Sequence, residues 1–274
     1  MNHQLTGIPA PALAGVVRER TKAAAIAEIN NCLYDGADMI DLHISCLEDN
    51  SPEALREIMN ASRLPVLALH YNISADQGLT NIGEEERVRQ LLAAVDAGAA
   101  GIDMQGYTFH APSKSSFCGN NAYSFTNGHP KEVVTDPEII VRQCDLIRQV
   151  HDKGAQVLLS CHPGIAMNCT QVVDLALFLE QRCPDIIKIV TRADSDDDLA
   201  ECFTTMLTLK REVKTPVSFH ASGRAGMLSR IINPALGGQI VFCVDRYSPA
   251  STMEQLDLRT ARSIIDNLRK IGRI

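Results

Sequence analysis

Eight short runs rich in β-branched residues, each followed by a helix-length amphipathic stretch, constrain the fold more than any other feature of this chain. The strand candidates are Leu13–Val17, Met39–Ile44, Pro65–His70, Gly101–Met104, Gln156–Cys161, Ile186–Val190, Pro216–His220 and Gln239–Val244. Runs this apolar fit parallel strands covered on both faces. Between them the spacing predicts helices over Lys22–Tyr34, Pro52–Ala61, Glu84–Ala97, Pro137–Lys153, Thr170–Arg182, Asp196–Glu212, Gly226–Asn233 and Leu258–Lys270. Gly36, Gly98 and Gly154 stand just past helix ends, where a left-handed residue is needed. Ser51-Pro52 and Asp136-Pro137 each set a cap before proline at the first helical position. This alternation predicts an α/β fold, a single-domain (β/α)8 TIM barrel spanning residues 1–274. An open doubly wound sheet is the rival, but no Gly-x-Gly-x-x-Gly turn follows the first strand, so no dinucleotide cofactor is expected.

One segment breaks the rhythm. Residues 106–135 are rich in Ser, Asn, Gly and Pro but also carry Tyr107, Phe109, Phe117, Tyr123 and Phe125. They follow the fourth strand, at the end of a barrel where active sites lie. The expectation is a lid or a subunit contact, the latter in a homodimer. The net charge of −7 argues against nucleic-acid or anionic-membrane partners. No apolar run reaches the ~18 residues of a membrane span, and Met1-Asn2-His3-Gln4 does not read as a signal peptide. Nine cysteines without a CxxC pair suit reduced thiols, so a cytoplasmic location is expected.

Lys188 carries the chemistry. It lies within Asp185-Ile186-Ile187-Lys188-Ile189-Val190, a buried-strand pattern in which lysine is rare. Desolvation disfavours its charged form, and a free amine in an apolar pocket forms Schiff bases with carbonyl compounds. Polar residues collect at the other strand ends: Asp41 and His43, His70, Asp103 and Gln105, His162 and His220. Since barrel interiors are normally filled by branched apolar side chains, these are candidate site residues. Ser229-Arg230 near a helix start suggests anion binding. The polar loop Pro249–Leu256 offers Ser251 and Gln255 as hydrogen-bonding groups.

The strand-six lysine, the histidine after strand five, Pro216-Val217 to Ser222-Gly223 followed by Ser229-Arg230, and the Ala250-Ser251 to Gln255 loop together resemble type I 3-dehydroquinate dehydratase. That resemblance implies a (β/α)8 barrel, a Schiff-base hydro-lyase of the shikimate pathway, no cofactor, and a small anionic keto acid as substrate. It makes Lys188 the imine-forming lysine and His162 the general acid/base. Arg230 would bind the substrate carboxylate, with Ser251 and Gln255 in the closing loop. The first half departs from the family pattern. Asp41-Leu42-His43 stands in place of Glu-x-Arg, and His70 in place of an arginine ending strand three. Asp76 reaches the position of the acid that orients the catalytic histidine only with a short insertion. Asp41, His43 and His70 are therefore expected to read substrate groups differently, because a bidentate arginine is not replaced by histidine without changing what is recognised.

Two other readings stay open at the sequence level. Asp41, His43, His70 and His220 could form the metal site of a barrel lyase or hydrolase. A ligand-binding homologue without turnover is the other.

Overall fold

The computed structural model describes residues 4–71, 82–109, 134, 136–249, 251–272 and 274. Nine parallel strands form one curled sheet in the order β7-β6-β5-β4-β3-β2-β1-β8-β9. They are β1 (Ala12–Val17), β2 (Met39–His43), β3 (Val66–Leu69), β4 (Gly101–Gln105), β5 (Gln156–Cys161), β6 (Ile186–Arg192), β7 (Val217–Ser222), β8 (Ile240–Val244) and β9 (Leu256–Asp257). The helices between them are α1 (Lys22–Tyr34), α2 (Pro52–Ala61), α3 (Glu84–Asp96), α4 (Pro137–Asp152), α5 (Cys169–Glu180), α6 (Asp196–Glu212), α7 (Ser229–Leu236) and α8 (Leu258–Lys270). Among the described residues no helix is long and apolar enough to cross a membrane.

Strand and helix positions follow the sequence periodicity closely, with two differences. The helix expected over Gly226–Asn233 divides into a 3-10 turn, Gly226–Leu228, and α7, which runs on through Pro234 to Leu236. The sequence pattern also passes over β9, whose two residues pair with Cys243 and Val244 of β8. Pairing that short has no periodicity to reveal it, yet it fixes the end of the β8–α8 loop at the sheet.

Ladders join every neighbouring pair from β8 through β1 to β7. No ladder is described between β7 and β8. That seam is crossed by the Gln239 N–H to Val217 O bond at 2.9 Å and the Ser218 hydroxyl to Ile240 O bond at 3.1 Å. The sheet is therefore curled, with one seam short of a complete eight-strand ladder.

Alternation along the strands sorts the residues into two apolar clusters. Outward positions such as Leu13, Ile40, Leu42, Ala68, Ile102, Val157, Leu159, Ile187 and Ile189 pack with the helices in the larger cluster. Inward positions Ala12, Ala14, Met39, Leu67, Leu158, Ile186 and Ile240 form the smaller one, with Leu5 from an N-terminal 3-10 turn inserted among them. Gly101 makes the room: a Cβ there would stand 2.5 Å from Gln156 O and 2.7 Å from Leu5 Cδ1. The same inward positions turn polar toward the C-terminal strand ends, at Asp41, His43, Asp103, Ser160, Lys188, Ser218 and His220, all of them buried.

Most of the segment expected as a lid or subunit contact, 106–135, lies outside the described residues, as do Asp76 and Ala250.

Candidate active site

A cavity of about 140 Å³ opens at the C-terminal strand ends. It is lined by side chains from β2 (Asp41, His43), β6 (Lys188) and β7 (His220), by His162 just past β5, by Arg230 on α7 and by Gln255. A larger groove, about 520 Å³, lies at the opposite end of the sheet along 59–66 and 97–100, with Arg63 its one charged lining residue. It brings no reactive groups together.

Lys188 sits inside the polar layer. Its Nζ lies 3.5 Å from Asp103 Oδ2 and 4.0 Å from the centre of the Phe242 ring. Asp103 is fully buried; its Oδ1 accepts the Ser160 hydroxyl at 2.5 Å and the Gln105 amide at 3.2 Å. Burial raises the Asp103 carboxyl, against the pull of Lys188. Asp103 and Gln105 thus support the lysine from β4.

His162 extends the inward series Leu158, Ser160 by one step, which brings its ring to the cavity beside Lys188. Burial, followed by the charges of Lys188 and Arg230, holds its imidazole well below the ordinary histidine range. His220 is shifted the same way by burial, Arg230 and Lys188. On the facing side, His43 Nε2 and Asp41 Oδ2 are 3.5 Å apart. Burial pushes the Asp41 carboxyl up, but His43, Lys188 and Arg18 together outweigh it and the group lies below its usual value. The ring of Tyr71 stands edge-on to both imidazoles, 5.9 Å from His43 and 6.3 Å from His162.

Arg230 is buried, and its Nη2 donates to Glu254 Oε2 at 2.9 Å. Glu254 Oε1 accepts the Gly223 N–H, also at 2.9 Å. Among the described residues, Asp41 Oδ1, Arg230 Nε and Gln255 Oε1 on the cavity wall are buried without a hydrogen-bond partner.

Three expected site residues sit elsewhere. His70 follows the outward residues Val66 and Ala68, so its ring turns toward α3. There Nε2 meets Gln90 Oε1 at 2.9 Å and Nδ1 meets Tyr71 O at 2.8 Å. Ser251 closes a local turn, accepting the Ser248 N–H at 2.8 Å, and lines an adjoining pocket with Arg18, Glu28 and Asp245. Ser229, expected near an anion, instead receives the Ala221 N–H at 2.8 Å and donates to Gly226 O at 2.6 Å. With His70 turned away, the tetrad of Asp41, His43, His70 and His220 does not assemble. No group of three or more His, Cys, Asp or Glu among the described residues is placed to hold a metal ion.

The sequence reading passed over Arg18, Tyr71, Phe242, Thr252 and Glu254. Arg18 and Phe242 had a signal: each continues an inward series, Ala12-Ala14-Val16 and Ile240. Tyr71, Thr252 and Glu254 lie in loops, where no periodicity points inward.

Comparison with known proteins agrees with this geometry. The sequence model of the type I 3-dehydroquinase family matches residues 136–271, the stretch that holds His162, Lys188, Arg230 and Gln255. Over those residues the chain resembles the type I 3-dehydroquinase family. That family consists of hydro-lyases. A 3-dehydroquinate dehydratase of Methanobrevibacter smithii is 21% identical over 249 residues, covering 89% of this chain and 90% of the relative. A 4-hydroxy-3-methylbut-2-en-1-yl diphosphate synthase (flavodoxin) of Hyphomonas neptunium is 34% identical over 93 residues, 29% of this chain. The chain spans about a quarter of the length of the first curated relatives it matches (24%). Among solved structures, type I 3-dehydroquinate dehydratase of Clostridium difficile superposes with a TM-score of 0.76 at 15% identity, covering 98% of each chain. The Geobacillus kaustophilus 3-dehydroquinate dehydratase gives 0.74 at 15% identity, over 98% of this chain and 96% of that one. Both likenesses are of fold.

Proposed function

We propose that this chain is a Schiff-base hydro-lyase that removes water from a cyclic β-hydroxy ketone, 3-dehydroquinate or a close relative. The observation that carries the reading is the setting of Lys188: an amine buried in an apolar strand, opening on a cavity, with a carboxylate behind it and His162 on the adjoining strand end. Asp103 is on hand to take the ammonium proton. The free amine adds to the ketone carbon, and loss of water leaves an iminium. The iminium acidifies the neighbouring C–H, and His162, kept neutral by its surroundings, removes that proton. The resulting enamine expels the β-hydroxyl, which leaves as water with the proton His162 returns. Hydrolysis of the conjugated imine releases product and restores the amine. Asp41, His43 and Gln255 hold substrate hydroxyls through their cavity-facing polar atoms, and Arg230 holds the far end of the ring.

We further read the scaffold as a single closed (β/α)8 barrel. The two hydrogen bonds across the β7–β8 seam and the fold of the dehydroquinase structures support this.

Borohydride reduction in the presence of 3-dehydroquinate tests the function. A reduced adduct mapped by mass spectrometry to Lys188, and the loss of both adduct and turnover in Lys188→Ala, are expected. An alanine variant that turns over without added amine overturns the reading.

A further inference from the structure

The polar layer behind Lys188 has a direction, a property that deepens the proposed imine chemistry and rests on it. Asp103 offers the lysine one oxygen only. Its Oδ1 accepts two donors, the Ser160 hydroxyl at 2.5 Å and the Gln105 amide at 3.2 Å. Its Oδ2, buried without a hydrogen-bond partner among the described residues, stands 3.5 Å from Lys188 Nζ. An oxygen that already accepts two hydrogen bonds has little capacity for a proton. A proton leaving the Lys188 ammonium therefore goes to Oδ2, and the nitrogen keeps the electron pair that attacks the ketone.

A glutamine amide could turn either end toward Asp103, and Arg87 decides which. A guanidinium has donors and no acceptor. Arg87 Nη1 donates to Gln105 Oε1 at 2.5 Å, which leaves Nε2 for Asp103, where it also reaches the backbone O at 2.9 Å. Arg87 has no freedom to release the amide. Glu84 holds its Nε at 3.1 Å and its Nη2 at 2.9 Å, and it donates further to His70 O and Thr108 Oγ1, each at 2.9 Å. Both Arg87 and Gln105 are fully buried. The charged and titratable groups acting on Asp103 are Lys188 from β6, Asp41 from β2, Tyr71 just past β3 and Arg87 from α3. Burial and Asp41 raise its carboxyl, whereas Lys188 and the Ser160 hydroxyl work against them. Donors on Oδ1 thus keep the carboxylate available as a base.

We propose that Gln105 is a positioning residue of the reaction: aimed by Arg87, its amide holds Asp103 as a one-sided proton acceptor for the imine-forming lysine.

The test follows the rate of imine formation with 3-dehydroquinate across pH, read by cyanoborohydride trapping and mass spectrometry, on the full chain and on Q105L and Q105E. Without the amide donor, Asp103 keeps its proton to higher pH. While Asp103 and Lys188 are both protonated no amine is on offer, so the acid limb of trapping should move up. A rise of about one pH unit, a tenfold gain in proton affinity, is expected for Q105L, with KM little changed. Q105E should rise at least as far, since it sets a second carboxylate beside Asp103. It keeps an acceptor for Arg87, so it carries the test if Q105L does not fold. A limb that stays in place or falls in a folded variant, with the Lys188 adduct still formed, overturns this proposal and leaves the imine reading standing; Gln105 is then packing alone. A wild type that yields no adduct at Lys188 removes the imine reading and this proposal with it.

Discussion

His162 looks across the cavity at Lys188 and Arg230, and an imidazole between two cations resists taking a third positive charge. Its depressed affinity for protons suits it to remove a C–H proton at neutral pH and to give that proton up again. His162→Ala should lower turnover by roughly 10²–10⁴-fold and still yield the borohydride adduct, since Lys188 is untouched; a variant with near-normal turnover would take His162 out of the chemistry. The same shift sets a pH dependence. An ordinary imidazole is half protonated at 6.5, whereas burial and neighbouring charge hold that of His162 well below. The acid limb of kcat/KM is thus expected below pH 6.5, and a limb at or above that value contradicts the assignment. Stability follows in the same sense. His43, His70, His162 and His220 all have lowered proton affinity in the folded chain, burial being the first cause in each. Above pH 6.5 neither state is protonated at these rings. Below it the unfolded chain binds protons that the folded chain refuses, so stability falls as pH drops from about 6.5 toward the lower folded values. Urea midpoints compared at about pH 7.5 and 5.5 measure this; an unchanged midpoint would refute it. At this scale Lys188 was legible because a charge in an apolar strand violates the burial rule. Glu254 was not, because nothing in a loop sequence says which carboxylate will meet which guanidinium.

At the level of elements, the period of two decides what belongs to the site. The polar strand ends were legible as a set, but His70 falls on the outward side of β3 and serves the packing of α3. It does so beside Arg87, a fully buried arginine that joins three elements. Arg87 donates to His70 O at 2.9 Å, to Gln105 Oε1 at 2.5 Å, to Thr108 Oγ1 at 2.9 Å and to Glu84 Oε2 at 2.9 Å, with the Tyr107 ring 5.4 Å away. Arg87→Ala should cost about 3 kcal/mol or more in chemical denaturation, because it strands Glu84 and several buried acceptors. His70→Ala is expected to cost about 1–3 kcal/mol by removing its contacts with Gln90 Oε1 and Tyr71 O, with kcat/KM little changed. A large kinetic loss with intact stability would return His70 to the substrate. The alternation of strands and helices could be read from sequence since each burial pattern is local. The side of the sheet that His70 faces depends on where β3 begins, which one chain alone leaves open by a residue.

Across the whole molecule the two ends of the sheet differ in kind. The C-terminal end is polar and opens on the cavity, while the N-terminal end is filled by Leu5 and its apolar neighbours. Leu5→Ala should destabilise the fold by about 2–5 kcal/mol, a cost set by the void it leaves, and thermal or urea unfolding would show it; a change under ~1 kcal/mol would mean that the interior closes without this residue. That filled end also governs traffic. A substrate held on Lys188, as proposed, would stand between the apolar floor and the mouth. On the proposed route, the water released as the imine forms, the water expelled from the ring and the water that frees the product would all pass the cavity wall that carries Arg230 and Gln255. A molecule lodged against that wall would therefore stall a turnover already under way as well as prevent a new one, and the enzyme would be caught with its lysine still bonded to carbon.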